Sequence, residues 1–135
     1  MFLGLNPSME GEEGFGTEKT TINLPDSQMK LYREVKKLGK PIVFVNVSGS
    51  CINLCEPDEG ADAVLQCFYG GSLGGRALAN ILFGKAKPTA KLPVTFYRSD
   101  DDLPAFTDYS MENRTYRFFK GKPLYPFGHG LTYKN

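Results

Sequence analysis

The sequence has few of the residue types that build metal and disulfide sites. Its 135 residues include three cysteines, one histidine and no tryptophan. Cys51, Cys55 and Cys67 are odd in number and form no CxxC pair, and His129 lies far from them in the sequence. This pattern predicts neither a zinc site nor a closed disulfide framework, so free thiols are expected.

The sequence also lacks a strong net charge and a long apolar run. The formal net charge is +1, and the densest basic group, Lys36, Lys37 and Lys40, ends a predicted helix, where cations complement the helix dipole. A nucleic-acid partner is therefore not expected. No apolar run reaches the roughly 18 to 20 residues of a membrane span, so no membrane partner is expected either. Met1 opens into FLGLNP, which lacks the basic start and long apolar region of a secretory signal.

Strand and helix patterns alternate along the first two thirds of the chain. Residues 41–48 (PIVFVNVS) and 63–69 (AVLQCFY) are continuous β-branched and aromatic runs, typical of strands buried on both faces. Amphipathic helices are predicted within 26–38, with Asp26 or Ser27 as the capping residue, and over 76–83. This order predicts an α/β fold, a layered sandwich with a mainly parallel sheet flanked by helices, in one domain over residues 1–135.

The last third of the chain, from residue 91 to 133, has almost no helical periodicity. It is too aromatic for a solvated tail and too rich in proline and glycine for a helix, so an extended aromatic-rich strap is expected. Tyr109, Tyr116, Tyr125 and Phe127 could stack on sugar rings. The plainer interpretation is that these four aromatic residues cover the sheet.

A glycine-rich turn, GGSLGG, separates the second predicted strand from the helix that follows it. Nucleotide-binding loops also join a strand to a helix, but the glycine spacing of the dinucleotide fingerprint is absent in every register. The Lys-Ser/Thr pair of a phosphate loop is absent as well. We interpret these glycines as permitting a tight turn and close packing of the helix on the sheet.

Two groups of acidic residues lie in predicted loops. The first, in MEGEEGFG, contains Glu10, Glu12 and Glu13, which suit general acid/base chemistry but by spacing alone could equally form a solvated loop. The second, DDD at 100–102, lacks the ligand spacing and glycine of a calcium loop and is interpreted as a solvated turn. His129 has no nucleophile near it in the sequence, which favours a packing or backbone-bonding role over that of a general base.

Seven segments occur in an order and approximate spacing that resemble one known family. They are GLNPSMEGEE, INLPDSQ, KPIVFVNVSGS, YGGSLGGRALANILFG, PTAKLPVTFY, DLPAFTDYSMENRTYRFF and PLYPFGHGLTY. Together they cover nearly the whole chain and resemble the C-terminal α/β sandwich domain of glycoside hydrolase family 3. The phrase VFVNVSGS and the EGEE loop are most similar to its β-xylosidase and β-glucosidase branch.

The resemblance implies a retaining, exo-acting glycosidase that cleaves terminal xylosyl or glucosyl residues from a glycoside or oligosaccharide, without a metal or organic cofactor. In this family the nucleophilic Asp lies in a preceding (β/α)8 barrel of about 250 residues, and the sandwich domain supplies the acid/base Glu. The first Glu of the EGEE block matches that residue best. Glu10 is therefore the candidate acid/base, with Glu12 and Glu13 as alternatives, and the family suggests a secreted or periplasmic location.

The chain also departs from the family's pattern. Family members have more sequence before FLGLNP, so the resemblance implies a fragment that is truncated in its N-terminal strand region and lacks the barrel. Residues 17–19 read Thr-Glu-Lys where Gly-Asp-Arg is usual, which loses a planar bidentate donor, and residues 70–72 read Gly-Gly-Ser instead of Pro-Gly-Gln. A second interpretation therefore stays open, a non-catalytic or pseudoenzymatic α/β module that binds a sugar or a protein partner.

Overall fold

The protein was analysed as a computed structural model, which describes residues 1–10, 20–105 and 107–134. Within these ranges the strands are β1 (Phe2–Gly4), β2 (Val43–Val47) and β3 (Ala63–Cys67). The α-helices are α1 (Pro7–Glu10), α2 (Asp26–Lys36), α3 (Cys55–Gly60), α4 (Gly74–Leu82) and α5 (Thr115–Phe118), and a 3-10 helix covers Asp100–Asp102.

The three strands form one parallel sheet in the order β1-β2-β3. Val45 in the central strand pairs with Phe2 on one side and with Leu65 on the other. Phe44 and Val45 point to opposite faces of the sheet and both are buried, which explains the uninterrupted apolar run in the sequence of β2. The predicted α/β class with a parallel sheet and helices is confirmed.

Helix α2 packs against the sheet through Tyr32, whose buried ring meets Phe44 edge-on at a centroid distance of 5.3 Å. Pro25 occupies the N-cap position without a side-chain capping bond, so Asp26 lies in the first turn rather than at the cap expected from the sequence. A carboxylate there still complements the helix dipole. Gly39 closes the end of the helix at φ +63°, a left-handed conformation that glycine adopts without a steric penalty.

One hydrophobic core is formed by residues of the sheet, of α2 and of the segments that connect the helices and strands. Its buried members are Leu5, Leu24, Tyr32, Ile42, Phe44, Ile52, Leu54, Phe96 and Leu124. The connection between β2 and β3 contains the six-residue helix α3. Helix α4 buries none of its residues.

Among the described residues of the C-terminal third, those that contact the core are Leu92, Phe96, Leu124 and Tyr125. Phe96 and Tyr125 form an isolated antiparallel bridge, and Phe96 and Leu124 are buried. Tyr109, by contrast, is 84% exposed, and Tyr116 and Phe127 are also exposed. The structure therefore does not show this third as one extended strap.

Of the four aromatic residues expected to cover the sheet, Tyr125 packs against the core. For Tyr109, Tyr116 and Phe127 that interpretation was wrong. The chain turns between them, since Met111, Asn113 and Thr115 all have positive φ. In the part of the chain that the structure describes, no helix has the length and apolar character needed to cross a bilayer.

Candidate active site

The carboxyl ends of the three strands lie at the same edge of the sheet because the strands are parallel. Helix α1 follows β1 there, Gly49 follows β2 by two residues, and Tyr69 follows β3 by two residues. Ligands of open α/β sheets bind at this edge. The three connections converge on one side chain, Glu10, the last residue of α1.

Glu10 is a buried carboxyl with two donors on the same oxygen. Its residue is 8% exposed. The backbone N–H of Gly49 donates to Glu10 Oε1 at 2.6 Å, and the hydroxyl of Tyr69 donates to the same atom at 2.7 Å. Hydrogen bonds to a carboxylate are shorter and stronger than neutral ones. Both donors therefore reach the same atom, Oε1.

Gly49 has no room for a side chain. A Cβ at this position would lie 2.7 Å from the ring of Tyr69 and 3.5 Å from Glu10 Oε2. Because Gly49 has no side chain, its N–H can approach the Glu10 carboxyl while the Tyr69 ring occupies the space where a Cβ would lie.

A network of polar side chains fixes the end of β2 just before Gly49. The amide nitrogen of Asn46 donates to Ser48 Oγ at 2.9 Å and to Gln66 Oε1 at 2.6 Å. Ser48 Oγ in turn donates to the carbonyl oxygen of Ser50 at 3.0 Å. Asn46 and Ser48 are buried, so these bonds hold the turn in which Gly49 donates to Glu10.

The other candidate residues are distributed differently. Glu12 and Glu13 lie outside the described residues, as does the 17–19 segment. His129 stacks on Tyr125 with ring centroids 4.9 Å apart, and its carbonyl oxygen accepts from the N–H of Leu92. Among the described residues no group of three His, Cys, Asp or Glu side chains could hold a metal ion.

The acidic triplet is a 3-10 helix rather than a uniformly solvated turn. Asp100 accepts hydrogen bonds from Thr21 and Ile22, far away in the sequence, whereas Asp101 is exposed. Asp102 accepts from the backbone N–H groups of Arg98 and Ser99. The three adjacent carboxyls therefore have different surroundings, which the sequence alone did not indicate.

Sequence reasoning missed Gly49 and Tyr69 as parts of this site. A signal was available, because each lies just after the apolar run of a predicted parallel strand. Side chains and backbone at those positions meet at the carboxyl edge of the sheet. What the sequence could not give was the pairing of both residues with one particular glutamate.

Replacing Tyr69 with phenylalanine tests this pairing. The variant loses the hydroxyl that donates to Glu10, and since Tyr69 is 41% exposed, water replaces part of that bond. We expect the free energy of unfolding in urea to fall by about 1 kcal/mol. Tyr109→Phe is the matched control and should change it by less than about 0.5 kcal/mol. Equal losses in the two variants would contradict the described contact.

Comparison with known proteins places the chain in a family. Residues 1–133 match the model for the glycosyl hydrolase family 3 C-terminal domain. The chain is 47% identical over 137 aligned residues to a xylan 1,4-beta-xylosidase of Xylanibacter ruminicola, covering 96% of this chain and 16% of that protein. It is 37% identical to a periplasmic beta-glucosidase of Salmonella typhimurium, covering 87% of this chain and 17% of that protein.

The fold is similar to that of solved enzymes as well. The crystal structure of a beta-glucosidase from Kluyveromyces marxianus superposes with a TM-score of 0.83 at 31% identity. That match covers 98% of this chain and 17% of the Kluyveromyces chain. The chain thus spans 16% and 17% of the two relatives above and a similar share of the solved enzyme.

Proposed function

The chain belongs to glycosyl hydrolase family 3 as a C-terminal domain of that family, and we propose that it is the acid/base-donating domain of a retaining, exo-acting β-glycosidase. The substrate class is a glycoside or oligosaccharide with a terminal xylosyl or glucosyl residue. The 47% identity to a xylan 1,4-beta-xylosidase, against 37% to a beta-glucosidase, favours the xyloside.

The observation that carries this proposal is the position of Glu10. A buried carboxyl lies where the ends of all three parallel strands meet, and it is held by groups that follow β2 and β3. Glu10 is thus the candidate acid/base residue. Glu12 and Glu13 remain alternatives, and in that case Glu10 would hold the loop that presents them.

Retaining hydrolysis needs a second carboxyl roughly 5 to 5.5 Å from the first. One carboxylate attacks the anomeric carbon while the protonated carboxyl gives its proton to the departing oxygen. The residue that gave up the proton is then ionised, and it removes a proton from the water that breaks the glycosyl-enzyme bond. We assign the nucleophilic Asp to a (β/α)8 barrel outside these 135 residues, because such a barrel needs about 250 residues. The active site would then lie between this domain and the barrel.

A domain replacement tests the proposal. The matching segment of the Xylanibacter xylosidase is exchanged for this chain, and hydrolysis of xylobiose and of a nitrophenyl β-xyloside is measured. We expect the chimera to hydrolyse both, since the domain brings the acid/base and the host supplies the nucleophile. The isolated 135-residue chain should hydrolyse neither substrate.

Two results would overturn the proposal. Hydrolysis by the isolated chain would mean that the nucleophile lies within it. A chimera that folds and binds xylobiose without cleaving it would instead favour the pseudoenzymatic module. The Xylanibacter xylosidase with its own C-terminal segment put back by the same cloning steps serves as the positive control.

A further inference from the structure

Asn46 is a buried amide in the central strand of an otherwise apolar run. Phe44 and Asn46 are alternate residues of β2, so their side chains lie on the same face of the sheet, where Tyr32 of α2 packs. Asn46 is 0% exposed, and its Oδ1 has no hydrogen-bond partner among the described residues. Burying an amide oxygen without a partner is unfavourable. The stability of the sheet therefore does not account for an asparagine at this position.

The amide nitrogen of Asn46 has two partners. Gln66 lies opposite Asn46 in the register of β2 and β3, and its Oε1 accepts from Asn46 at 2.6 Å. Ser48 Oγ accepts from the same nitrogen at 2.9 Å. The amide nitrogen of Gln66 donates back to Ser48, to Oγ at 3.2 Å and to the carbonyl oxygen at 3.3 Å. The three side chains thus form a closed ring of hydrogen bonds.

One group that can only accept determines the direction of the bonds in this ring. The carbonyl oxygen of Ser48 cannot donate, so the part of Gln66 that faces it must be the NH2 group. Gln66 Oε1 then faces Asn46, which must in turn present its own NH2 group. The orientation that completes the ring is therefore the one that leaves Asn46 Oδ1 without a partner.

The ring ends at the residue before Gly49. The N–H of Ser48 donates to the carbonyl oxygen of Cys67 at 3.2 Å, and Ser48 Oγ donates to the carbonyl oxygen of Ser50 at 3.0 Å. Gly49 follows directly, and its N–H donates to Glu10 Oε1 at 2.6 Å. Hydrogen bonds and a single peptide unit therefore join Asn46 to the Glu10 carboxyl without a gap.

We propose that Asn46 is a positioning residue for catalysis, which holds the Ser48–Gly49 peptide in the orientation that binds the Glu10 carboxyl. The inference rests on the proposed function with Glu10 as the acid/base. Because Asn46 is fully buried, it acts through Ser48 and Gly49 and not on the substrate. A displacement of about 1 Å in a catalytic group can reduce the rate about 100-fold, so a buried support can affect the chemistry.

The first test measures local order in the 135-residue chain, without reference to activity. Asn46→Leu replaces the amide with an apolar group of similar shape. We expect hydrogen exchange at the Gly49 amide to become about tenfold faster, while exchange at Leu124 stays unchanged. The urea concentration at half-unfolding should not fall, because the variant loses the unpartnered buried oxygen together with the two donated bonds.

Thr95→Val is the matched control. Thr95 is 6% exposed, and its Oγ1 is buried without a hydrogen-bond partner among the described residues. The substitution therefore also replaces a buried polar atom with an apolar one of the same shape, at a residue outside the ring. It should leave Gly49 exchange unchanged.

Gln66→Met opens the same ring from β3 and serves as a second variant if Asn46→Leu does not fold. Gln66 is only partly buried, so the change is well tolerated. Gly49 exchange should again become faster. The double variant should exchange no faster than Asn46→Leu alone, because both substitutions break one network.

The second test uses the chimera and separates positioning from general stability. With xylobiose, Asn46→Leu should lower kcat about 10- to 100-fold with little change in KM. With a dinitrophenyl xyloside, whose leaving group departs without protonation, the loss should be much smaller. A residue that only stabilised the fold would change the amount of active enzyme, and so would lower the rates with both substrates equally.

The outcomes are distinguishable. Faster Gly49 exchange at an unchanged urea midpoint, together with a leaving-group-dependent loss of kcat, supports the inference. Unchanged Gly49 exchange overturns it, as does an equal effect of Thr95→Val. A lowered urea midpoint in both Asn46→Leu and Gln66→Met overturns it too, as does an equal loss of kcat with both substrates, because the ring would then serve stability.

Failure of the proposed function gives a different result. If the unsubstituted chimera is inactive, the proposed function fails, and Asn46 is refuted as a catalytic positioning residue even where Gly49 exchange confirms its contact. If the unsubstituted chimera is active and Asn46→Leu is equally active, the proposed function stands and the inference about Asn46 alone is refuted.

Discussion

Glu10→Gln in the chimera is expected to lower kcat/KM for xylobiose by about 100- to 10,000-fold, the usual contribution of a general acid. Glutamine keeps the side-chain shape and an acceptor for Gly49 and Tyr69, but it carries no transferable proton. A dinitrophenyl leaving group needs no protonation, so the first step with that substrate should change far less. Glycosyl-enzyme should then accumulate, because the base that activates water is missing too, and added azide should speed its breakdown.

The same assay decides between Glu10 and its neighbours. Glu12→Gln and Glu13→Gln are measured beside it, and only the variant of the true acid/base should show both the leaving-group dependence and the azide effect. If Glu10→Gln slows both substrates equally while Glu12→Gln or Glu13→Gln shows the split, Glu10 is an anchor and the acid/base role passes to the other residue.

Much of the fold could be predicted because the controlling interactions are local or repeated. The apolar run of β2 predicted a strand buried on both faces, and the successive residues Phe44 and Val45, which point to opposite faces, are both buried. The helical period predicted α2, although the cap was assigned to Asp26 or Ser27 and not to Pro25. The alternation of apolar and polar residues shows which face of an element is buried. It therefore predicts that a helix or strand exists better than it predicts the residues at which the element begins and ends.

The site was only half predictable, for a physical reason. Glu10 could be selected because a family resemblance covers it, whereas its partners Gly49 and Tyr69 are distant in the sequence. Their side chains and backbone meet Glu10 only after the three strands align. A hydrogen bond between distant residues leaves no periodic trace in a single sequence.

Asp100 makes the same point more strongly. Three identical neighbours, DDD, give composition and spacing nothing with which to tell them apart. In the fold, Asp100 binds Thr21 and Ile22 while Asp101 faces solvent. The difference arises from the direction in which each carboxyl points from the short 3-10 helix. That direction has meaning only once the helix is packed next to residues 21 and 22 in the folded chain.

Phe96→Ala is expected to lower the free energy of unfolding by about 3 to 5 kcal/mol, the usual cost of emptying a buried phenylalanine site. Phe96 is 0% exposed and belongs to the core. Its backbone also connects two parts of the C-terminal third. The Phe96 N–H donates to the carbonyl oxygen of Tyr125 at 2.9 Å, and the Phe96 carbonyl oxygen accepts from the N–H of Leu124 at 2.8 Å. Urea unfolding of the 135-residue chain measures the change.

The matched control is Phe83→Ala, the same substitution at a residue that is 79% exposed. It should alter the free energy of unfolding by less than about 0.5 kcal/mol. Since domains of this size are stable by only about 5 to 15 kcal/mol, Phe96→Ala can prevent folding altogether, and Phe96→Leu then provides a milder variant with a smaller cavity. If the alanine variants at 96 and 83 unfold at the same urea concentration as the unsubstituted chain, Phe96 does not tie the C-terminal third to the core. The exposed aromatic residues beyond it would then belong to a segment that contributes nothing to the stability of the sheet.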